Sequence, residues 1–218
     1  MTIAAIDVDP QKTFTPLCPD ELPVPEGDSI GQALNAQAAM AQYRVLTKDA
    51  HPRNAVWVVD SHEKMLQPLS HKNADVTWVS HAVPGTRGFE TIPGLPAVTD
   101  YDHVIWKGIE PDLHPYGACF HDLQEKLSTG LIEWLDAKGV STVIIGGLAT
   151  DYCVKTTALQ LQKSGCFKVI VNLSASRGIA PETTQQACAE MKQAGIIIAQ
   201  DLTALQTLLS KASPQRGL

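Results

Sequence analysis

Short runs of aliphatic and β-branched residues alternate with helical patterns along the whole chain. The runs "TIAAIDVD", "STVIIGGL" and "FKVIVNL" are almost continuous in Val, Ile and Leu instead of alternating with polar residues. Continuous apolar strands are typical of parallel sheets that are buried on both faces. Because helical patterns separate the strands, the chain is predicted to fold as a three-layer α/β/α structure around a mostly parallel six-stranded sheet.

The predicted elements follow one another from end to end, and no linker separates them into units. Asp28 is a candidate N-cap for the first helix, and Gly139 is placed to end the second. A chain of 218 residues suits one substantial core, so residues 1–218 are predicted to form a single domain. The predicted strands are 2–9, 43–49, 102–108, 141–148, 167–173 and 195–200, and the predicted helices are 28–43, 131–140, 181–195, 201–211 and one that holds Cys153 in its first turn.

Two of the predicted loops are too long to be simple connectors. Residues 10–27 are rich in proline, and residues 50–100 contain Trp57, Trp78, Phe89 and four of the seven histidines. Loops of this length inside a compact domain are usually either functional or disordered. The aromatic and imidazole side chains favour function, so a metal- and substrate-binding region is predicted at about residues 50–100.

The composition argues against several classes of protein. A formal net charge of -6, with no run of Lys or Arg, is unlike a nucleic-acid-binding protein. No apolar run approaches the length of a membrane span, and the first residues do not resemble a secretory signal. The five cysteines are odd in number and form no C-x-x-C pair, which indicates a reducing environment. We therefore expect a cytoplasmic protein that binds neither nucleic acid nor membrane, and that forms a homodimer if apolar patches are exposed.

Reactive side chains come just after four of the predicted strands. Asp9 follows the first strand, Asp49 and His51 follow the second, Lys107 ends the third and Cys153 comes after the fourth. Ligands of an open parallel sheet bind outside the carboxyl ends of its strands. The sequence therefore predicts that a thiol, an amine, an imidazole and two carboxylates share one edge of the sheet.

This set of side chains suits acyl transfer by a cysteine nucleophile. The helix N-terminus and Lys107 are expected to lower the pKa of the Cys153 thiol. Asp9 is placed to take the thiol proton and later give it to a leaving group. The backbone N–H groups of Ala149 and Cys153 are candidates for holding the developing oxyanion. The simplest such reaction is amide hydrolysis through a thioester.

A metal site is predicted beside this centre. Asp49, His51 and His81 offer one carboxylate and two imidazoles, which suit zinc, iron or manganese and leave positions open for water or substrate. His62 and His71 are spare candidates for a further ligand. The three remaining histidines are predicted to lie on the surface: His103, His114 and His121.

Both the nucleophile and the base have an alternative in the sequence. Cys119, in "YGACF", is the rival nucleophile, but no acidic or basic residue flanks it and no strand leads into it. Asp7 points to the same face of the first strand as Asp9, because strand side chains alternate. Asp7 lies deeper in the strand, where a carboxylate needs partners, so Asp9 is the preferred base.

Five short motifs occur in the order in which one known family carries them: "DPQKTF", "TKDAHP", "WVSH", "IWKG" and "GGLATDYCV". They match the D-x-Q-x-x-F, D-x-H, W-x-x-H, lysine and G-x-A-T-[DE]-x-C-V motifs of the nicotinamidase branch of the isochorismatase-like cysteine hydrolases. The chain resembles this family over residues 9–154. The resemblance implies an isochorismatase-like hydrolase fold and the conversion of nicotinamide to nicotinate and ammonia in NAD salvage, usually with pyrazinamide as a second substrate.

The resemblance also implies which residues are catalytic and which bind a metal ion. Asp9, Lys107 and Cys153 would be the catalytic residues. One divalent metal ion, zinc or iron before manganese, would sit on the three ligands named above, hold the pyridine nitrogen of the substrate and direct its carboxamide to the thiol. Many members read D-x-H-P-x-N-H, but Ala55 takes the place of the last histidine here. The sequence therefore names three protein ligands and leaves a fourth open.

Four residues are implied as substrate contacts. Phe14 and Trp78 would sandwich the ring, with core packing as the alternative for each. Leu148 and Tyr152 would complete the pocket, and the peptide bond between Leu148 and Ala149 would be cis. Two other functions stay open: a related family hydrolase that acts on another small amide or a vinyl ether without the metal set, and a non-catalytic interaction domain on the same scaffold.

Overall fold

The computed structural model describes residues 1–210. Besides short 3-10 segments and one π-helical turn at Thr150–Val154, it contains ten strands and five helices in this part of the chain. In chain order they are β1 (Ile3–Val8), α1 (Gly31–Ala38), β2 (Tyr43–Asp49), β3 (Val58–Val59), β4 (Pro68–His71), β5 (Ala74–Val76), β6 (Trp78–Val79), β7 (His103–Lys107), α2 (Leu131–Ala137), β8 (Thr142–Leu148), α3 (Lys155–Lys163), β9 (Lys168–Arg177), α4 (Pro181–Gln193), β10 (Ile197–Ala199) and α5 (Leu202–Ser210).

Six strands form the central sheet in the order β10-β9-β8-β1-β2-β7. Every neighbouring pair in it is parallel, which confirms the predicted six-stranded parallel sheet. The chain moves outward from β1 through β2 to β7, and then returns to the other side of β1 with β8. The strand order therefore reverses between β1 and β8, and such a switch point opens a crevice outside the carboxyl ends of the strands.

The sheet is covered by apolar side chains on both faces. Every residue of β1 and of β8 is buried. Val143 and Ile145 of β8 pack on one face with Leu135 of α2. Ile144, between them, packs on the other face with Leu205 of α5. Helices on both sides of a doubly buried sheet confirm the predicted three-layer α/β/α architecture.

The first helix is shorter than the predicted range 28–43, and Asp28 does not cap it. A 3-10 segment at Gly27–Ile30 comes first, and neither this segment nor α1 has a side-chain capping hydrogen bond. Beyond α1 the N–H of Gln42 donates to the carbonyl oxygen of Ile3 at 2.9 Å. The residues before β2 therefore turn to join the sheet instead of continuing the helix.

Other element boundaries differ because backbone pairing does not follow the apolar pattern. β9 continues through a polar stretch to Arg177, where its Ser176 pairs with Gly147 of β8. Cys153 lies in the π-helical turn before α3 and not in the first turn of an α-helix. The predicted end of the last helix at Lys211 lies outside the described residues.

The region of residues 50–100 contains more regular structure than its sequence predicts. β3 pairs with β6 in a small parallel sheet, and β4 pairs with β5 as an antiparallel hairpin.

The helices of the fold are short, and α4 has 13 residues. Within residues 1–210, none of them combines the length and the apolar character needed to cross a membrane.

Candidate active site and metal centre

Lys107 lies at the centre of a buried polar cluster beside the switch point. Its Nζ is 3.0 Å from Oδ2 of Asp9 and 3.7 Å from Sγ of Cys153, and it donates a short hydrogen bond to Oδ1 of Asp49. The side chains of Lys107 and Asp9 are fully buried, and Cys153 is almost so. The ends of β1, β2 and β7 and the turn after β8 thus bring these four groups together, as the sequence predicts.

The carboxylate of Asp9 is held in place by β2. Asp9 follows β1 with a left-handed backbone φ of 44°, and its N–H donates to the carbonyl oxygen of Thr47 at 3.1 Å. The hydroxyl group of Thr47 donates to Oδ1 of Asp9 at 2.6 Å. Oδ2, the other oxygen atom, therefore faces Lys107 and Cys153.

Burial and the charge of neighbouring groups act against each other on the pKa values of this cluster. Burial lowers the pKa of Lys107, but the carboxylates of Asp49 and Asp9 outweigh this effect and hold that pKa well above its ordinary value. Burial raises the pKa of Asp9, against the opposing charge of Lys107. Burial also raises the pKa of the Cys153 thiol well above its usual range, although Lys107 opposes the shift. The predicted lowering of the thiol pKa is therefore wrong, because desolvation outweighs the nearby cation.

The alternatives for base and nucleophile have partners elsewhere. Oδ2 of Asp7 accepts hydrogen bonds from Nε of Arg44 at 2.9 Å and from the hydroxyl group of Tyr101 at 3.0 Å. Burial raises the pKa of Asp7 to about 6, against the effect of Arg44. Cys119 is fully buried, which raises the pKa of its thiol, and its N–H donates to Oε1 of Gln160 at 3.1 Å. We therefore assign Asp7 and Cys119 to structural roles and not to the reaction.

Asp49, His51 and His81 meet next to the cluster. Nδ1 of His51 lies 3.0 Å from the carbonyl oxygen of Gly108, and Nδ1 of His81 lies 2.8 Å from that of Val79. Each carbonyl favours a proton on Nδ1 and leaves Nε2 as the free acceptor, which is the usual orientation of a metal-binding imidazole. Nε2 of His51 is 3.4 Å from Oδ1 of Asp49. Burial, followed by the charge of His51, lowers the pKa of His81 to about 3, so its imidazole is neutral.

His114 belongs to this group, and its prediction as a surface residue is wrong. It is 4% exposed. One ring nitrogen atom of His114, one of His51 and one of His81 all lie within 4.8 Å of one another. Its ring stacks on that of Trp78 with centroids 5.8 Å apart. Burial lowers the pKa of His114 well below its usual value, and any protonation of the neighbouring imidazoles of His51 and His81 would lower it further. The other four histidines lie outside this group: His103 and His121 are half-buried, and the two spare ligand candidates, His62 and His71, are exposed.

A cavity with mostly apolar walls opens onto the cluster. Phe14, Trp78 and Tyr152, three of the predicted substrate contacts, line it. Phe14 and Trp78 are almost fully buried, and the ring of Tyr152 meets that of Trp78 edge-on at 5.6 Å. Asp49 and His81 also reach the wall. A flat aromatic molecule that enters this cavity therefore meets the metal-ligand set and the thiol together.

The turn after β8 forms the floor of the cavity. Ala149 and Cys153, the predicted oxyanion donors, both line it, and the peptide bond between Leu148 and Ala149 is cis. Leu148 itself is fully buried and packs with Phe14 and Ala175 beneath the wall. The structure therefore places Leu148 in the supporting core and not among the lining residues.

Five residues of the cavity wall are not among the site residues that the sequence predicts. Leu22 and Val24 come from the proline-rich loop, whose length indicates a function without identifying its side chains. His114 and Tyr116 follow β7, and Ile179 follows β9. All three come after the carboxyl end of a parallel strand, so extending the same rule by a few residues would have included them.

The fold and this site define an α/β enzyme with a buried thiol at the switch point of a parallel sheet. Residues 4–201 match the Isochorismatase domain, so the chain belongs to the isochorismatase family. It is 33% identical over 198 residues to a nicotinamidase of Acinetobacter baylyi, covering 88% of this chain and 90% of that one.

Solved structures agree with this assignment. A nicotinamidase/pyrazinamidase of Acinetobacter baumanii superposes with a TM-score of 0.80 at 31% identity, over 94% of this chain and 98% of the other. A pyrazinamidase of Pyrococcus horikoshii in complex with zinc gives a TM-score of 0.72 at 33% identity, over 92% of this chain and 99% of the other.

Proposed function

We propose that this protein hydrolyses nicotinamide to nicotinate and ammonia as a step of NAD salvage, and that it accepts pyrazinamide in the same way. The observation that carries the proposal is the position of Lys107, which contacts Asp9 and lies 3.7 Å from the sulfur atom of Cys153 at the base of an aromatic cavity. The similarity to nicotinamidases and pyrazinamidases over most of the chain supports the same chemistry.

Cys153 attacks the carboxamide carbon as its proton moves to Asp9. The thiol is protonated at rest because burial raises its pKa, so a base must take the proton during the attack. Asp9 offers Oδ2 for this, since Thr47 occupies Oδ1. The carbonyl oxygen becomes an oxyanion, which the backbone N–H groups of Ala149 and Cys153 stabilise.

Collapse of this intermediate releases ammonia. The carbon–nitrogen bond breaks as Asp9 returns its proton to the leaving nitrogen, and a thioester on Cys153 remains. A water molecule then attacks the thioester while Asp9 takes a proton from it. The carbon–sulfur bond breaks as Asp9 gives this proton to the sulfur atom of Cys153, and the nicotinic acid loses its own proton to solvent and leaves as nicotinate. Lys107 stays protonated throughout, because the two carboxylates raise its pKa, and it compensates the charge that moves through the cluster.

The residues beside the cavity fit a divalent transition metal ion. Among residues 1–210, Nε2 of His51 is buried without a hydrogen-bond partner, and it faces the carboxylate of Asp49. With His81 these side chains form a set that suits zinc or iron, and also manganese. A metal ion bound here would act as a Lewis acid that receives the pyridine nitrogen of the substrate. The zinc complex of the related pyrazinamidase supports the assignment.

An assay of both products tests the proposal. The purified protein should release ammonia and nicotinate in equal amounts from nicotinamide, and Cys153→Ala should abolish both. Cys119→Ala is the matched control, because Cys119 is also buried but does not line the cavity. Turnover by the Cys153→Ala variant would refute the cysteine mechanism. Activity only on another small amide or on a vinyl ether, with no bound metal, would favour the alternative family reaction.

We also propose that residues 1–218 act as one catalytic domain in the reducing cytoplasm, as a homodimer. Asp9, Lys107 and Cys153 lie at or just after the ends of strands of one sheet, and all five cysteines are free. The exposed side chains of Trp106 and Ile109, at the edge strand β7 and just after it, offer apolar surface to a second copy. Sedimentation velocity distinguishes a dimer from a monomer directly.

A further inference from the structure

The imidazole ring of His114 is a buried polar group on the wall of the cavity. It is 4% exposed, and neither of its ring nitrogen atoms has a hydrogen-bond partner among residues 1–210. Buried polar groups in native proteins are almost always satisfied by protein, water or a ligand, so the nitrogen atoms of His114 are available to a ligand that enters the cavity. The residue lines the cavity, which gives such a ligand a route of entry.

The free nitrogen atoms of His114 lie close to those of two other imidazoles. One nitrogen atom from each of His51, His81 and His114 lies within 4.8 Å of the other two. Ligand atoms on one zinc ion are about 3–4 Å apart, given bond lengths near 2.1 Å. Small rotations of these side chains therefore suffice to bring three imidazole nitrogen atoms onto a single ion.

The surroundings of His114 hold its ring toward this point. Its backbone N–H donates to the carbonyl oxygen of Asn73 at 2.8 Å. Its ring stacks between those of His51 and Trp78, at interplanar angles of 18° and 16°, and meets Trp57 edge-on at 4.5 Å. Packing thus sets the orientation of the His114 ring, whereas hydrogen bonds to backbone carbonyls orient the rings of His51 and His81.

We propose that His114 is a fourth protein ligand of the metal ion, with Asp49, His51 and His81. The proposal rests on the metal site of the proposed function. Ala55 has no side-chain ligand atom and is buried against Trp57 and Trp78, so this position provides no further ligand. His114, delivered by the segment after β7, completes a set of three imidazoles and one carboxylate.

Metal binding by His114→Phe tests this assignment without depending on catalysis. Phenylalanine retains a flat ring for the stacking but removes both nitrogen atoms. His103→Phe is the matched control, because His103 also stacks on an aromatic ring, Trp134 at 4.7 Å, outside the metal group. Competition with a zinc chelator should show zinc affinity falling at least about tenfold in His114→Phe and staying at the wild-type value in His103→Phe. Unchanged affinity in His114→Phe would overturn the proposal.

X-ray absorption of the zinc-loaded wild-type protein gives a second test that needs no variant. Three imidazoles in the coordination shell are the expected result, and two imidazoles would contradict the proposed ligand set. A wild-type protein that binds no zinc, iron or manganese would also overturn the proposal. If the protein shows three imidazoles but does not hydrolyse nicotinamide, the proposed function fails while the ligand assignment stands.

Discussion

Nζ of Lys107 lies 3.0 Å from Oδ2 of Asp9, and neither side chain is exposed. The same ammonium group contacts the carboxylate of Asp49. One cation therefore separates and compensates two buried acids, one beside the thiol and one beside the imidazoles. Removing one partner of a buried ion pair leaves an uncompensated charge, which costs far more than an exposed pair contributes.

Lys107→Met should both destabilise and inactivate the protein. The variant keeps the length of the side chain but leaves Asp9 and Asp49 buried without a cation, so the free energy of unfolding should fall by about 3–5 kcal/mol. Urea denaturation measures this change, and the ammonia assay should show no turnover. Lys48→Met is the control, because Lys48 is also buried and its Nζ lies over the ring of Phe89 at 3.7 Å. That variant should lose only about 1–2 kcal/mol, and equal losses in the two variants would contradict this account of Lys107.

Thr47→Val should shift the acidic limb of the pH–rate profile. Asp9 must be ionised to act as a base, so kcat/KM falls as the pH drops through its pKa, which burial raises despite Lys107. Thr47 stabilises the ionised form through its 2.6 Å hydrogen bond. Its loss should raise the pKa further and move the limb to higher pH by on the order of one unit. Thr157→Val, which removes a buried hydroxyl group bonded to the N–H of Ala118, should not move the limb. A limb that stays in place in Thr47→Val, or moves to lower pH, would be incompatible with Asp9 as the base.

Gly108→Ala should impair metal binding. Gly108 has a φ of 71°, and a Cβ atom at this position would overlap the imidazole ring of His51. Gly139→Ala is the matched control, because Gly139 has a φ of 65° with open space around a Cβ atom. Both variants should lose about 1–2 kcal/mol of stability from the left-handed backbone, but only Gly108→Ala should lose bound metal. Metal analysis after dialysis measures the difference, and full metal content in Gly108→Ala would show that His51 need not stay in place.

Asp151→Ala should weaken substrate binding more than it slows the chemical step. The carboxylate of Asp151 accepts hydrogen bonds from the N–H of Ile179, at 3.1 and 3.2 Å, and a short one from the hydroxyl group of Thr183. Ile179 lines the cavity, so releasing its backbone should raise KM several-fold with a smaller change in kcat. Thr183→Val keeps both bonds to Ile179 and should leave KM near the wild-type value. A KM that changes equally in the two variants would assign the effect to Thr183.

The sequence predicts the part of the site that depends on strand ends. Asp9, Asp49 and Lys107 each stand at or just after the end of a predicted strand, and the geometry of a parallel sheet alone makes such positions neighbours. Their convergence therefore needs no information about side-chain packing. The same rule locates Cys153 just after β8, although the π-helical form of its turn leaves no pattern in the sequence.

The rest of the site depends on burial by distant segments. His114 lies in an irregular segment between β7 and α2. It is buried by Trp57 and Trp78, which come from the region of residues 50–100. No local periodicity reports such packing, so the sequence predicts a surface position for this residue. The sequence misleads on the thiol pKa of Cys153 for the same reason, because neighbouring charges can be read from a sequence but full desolvation cannot.

Acid-quenched mass spectrometry during turnover of nicotinamide should trap the thioester on the nucleophile. We expect a protein species heavier by one nicotinoyl group, which peptide mapping places on Cys153 and which disappears when substrate is exhausted. A nicotinoyl group on Cys119, or rapid turnover by a Cys153→Ala variant that carries no adduct, would contradict the assignment of Cys153 as the nucleophile.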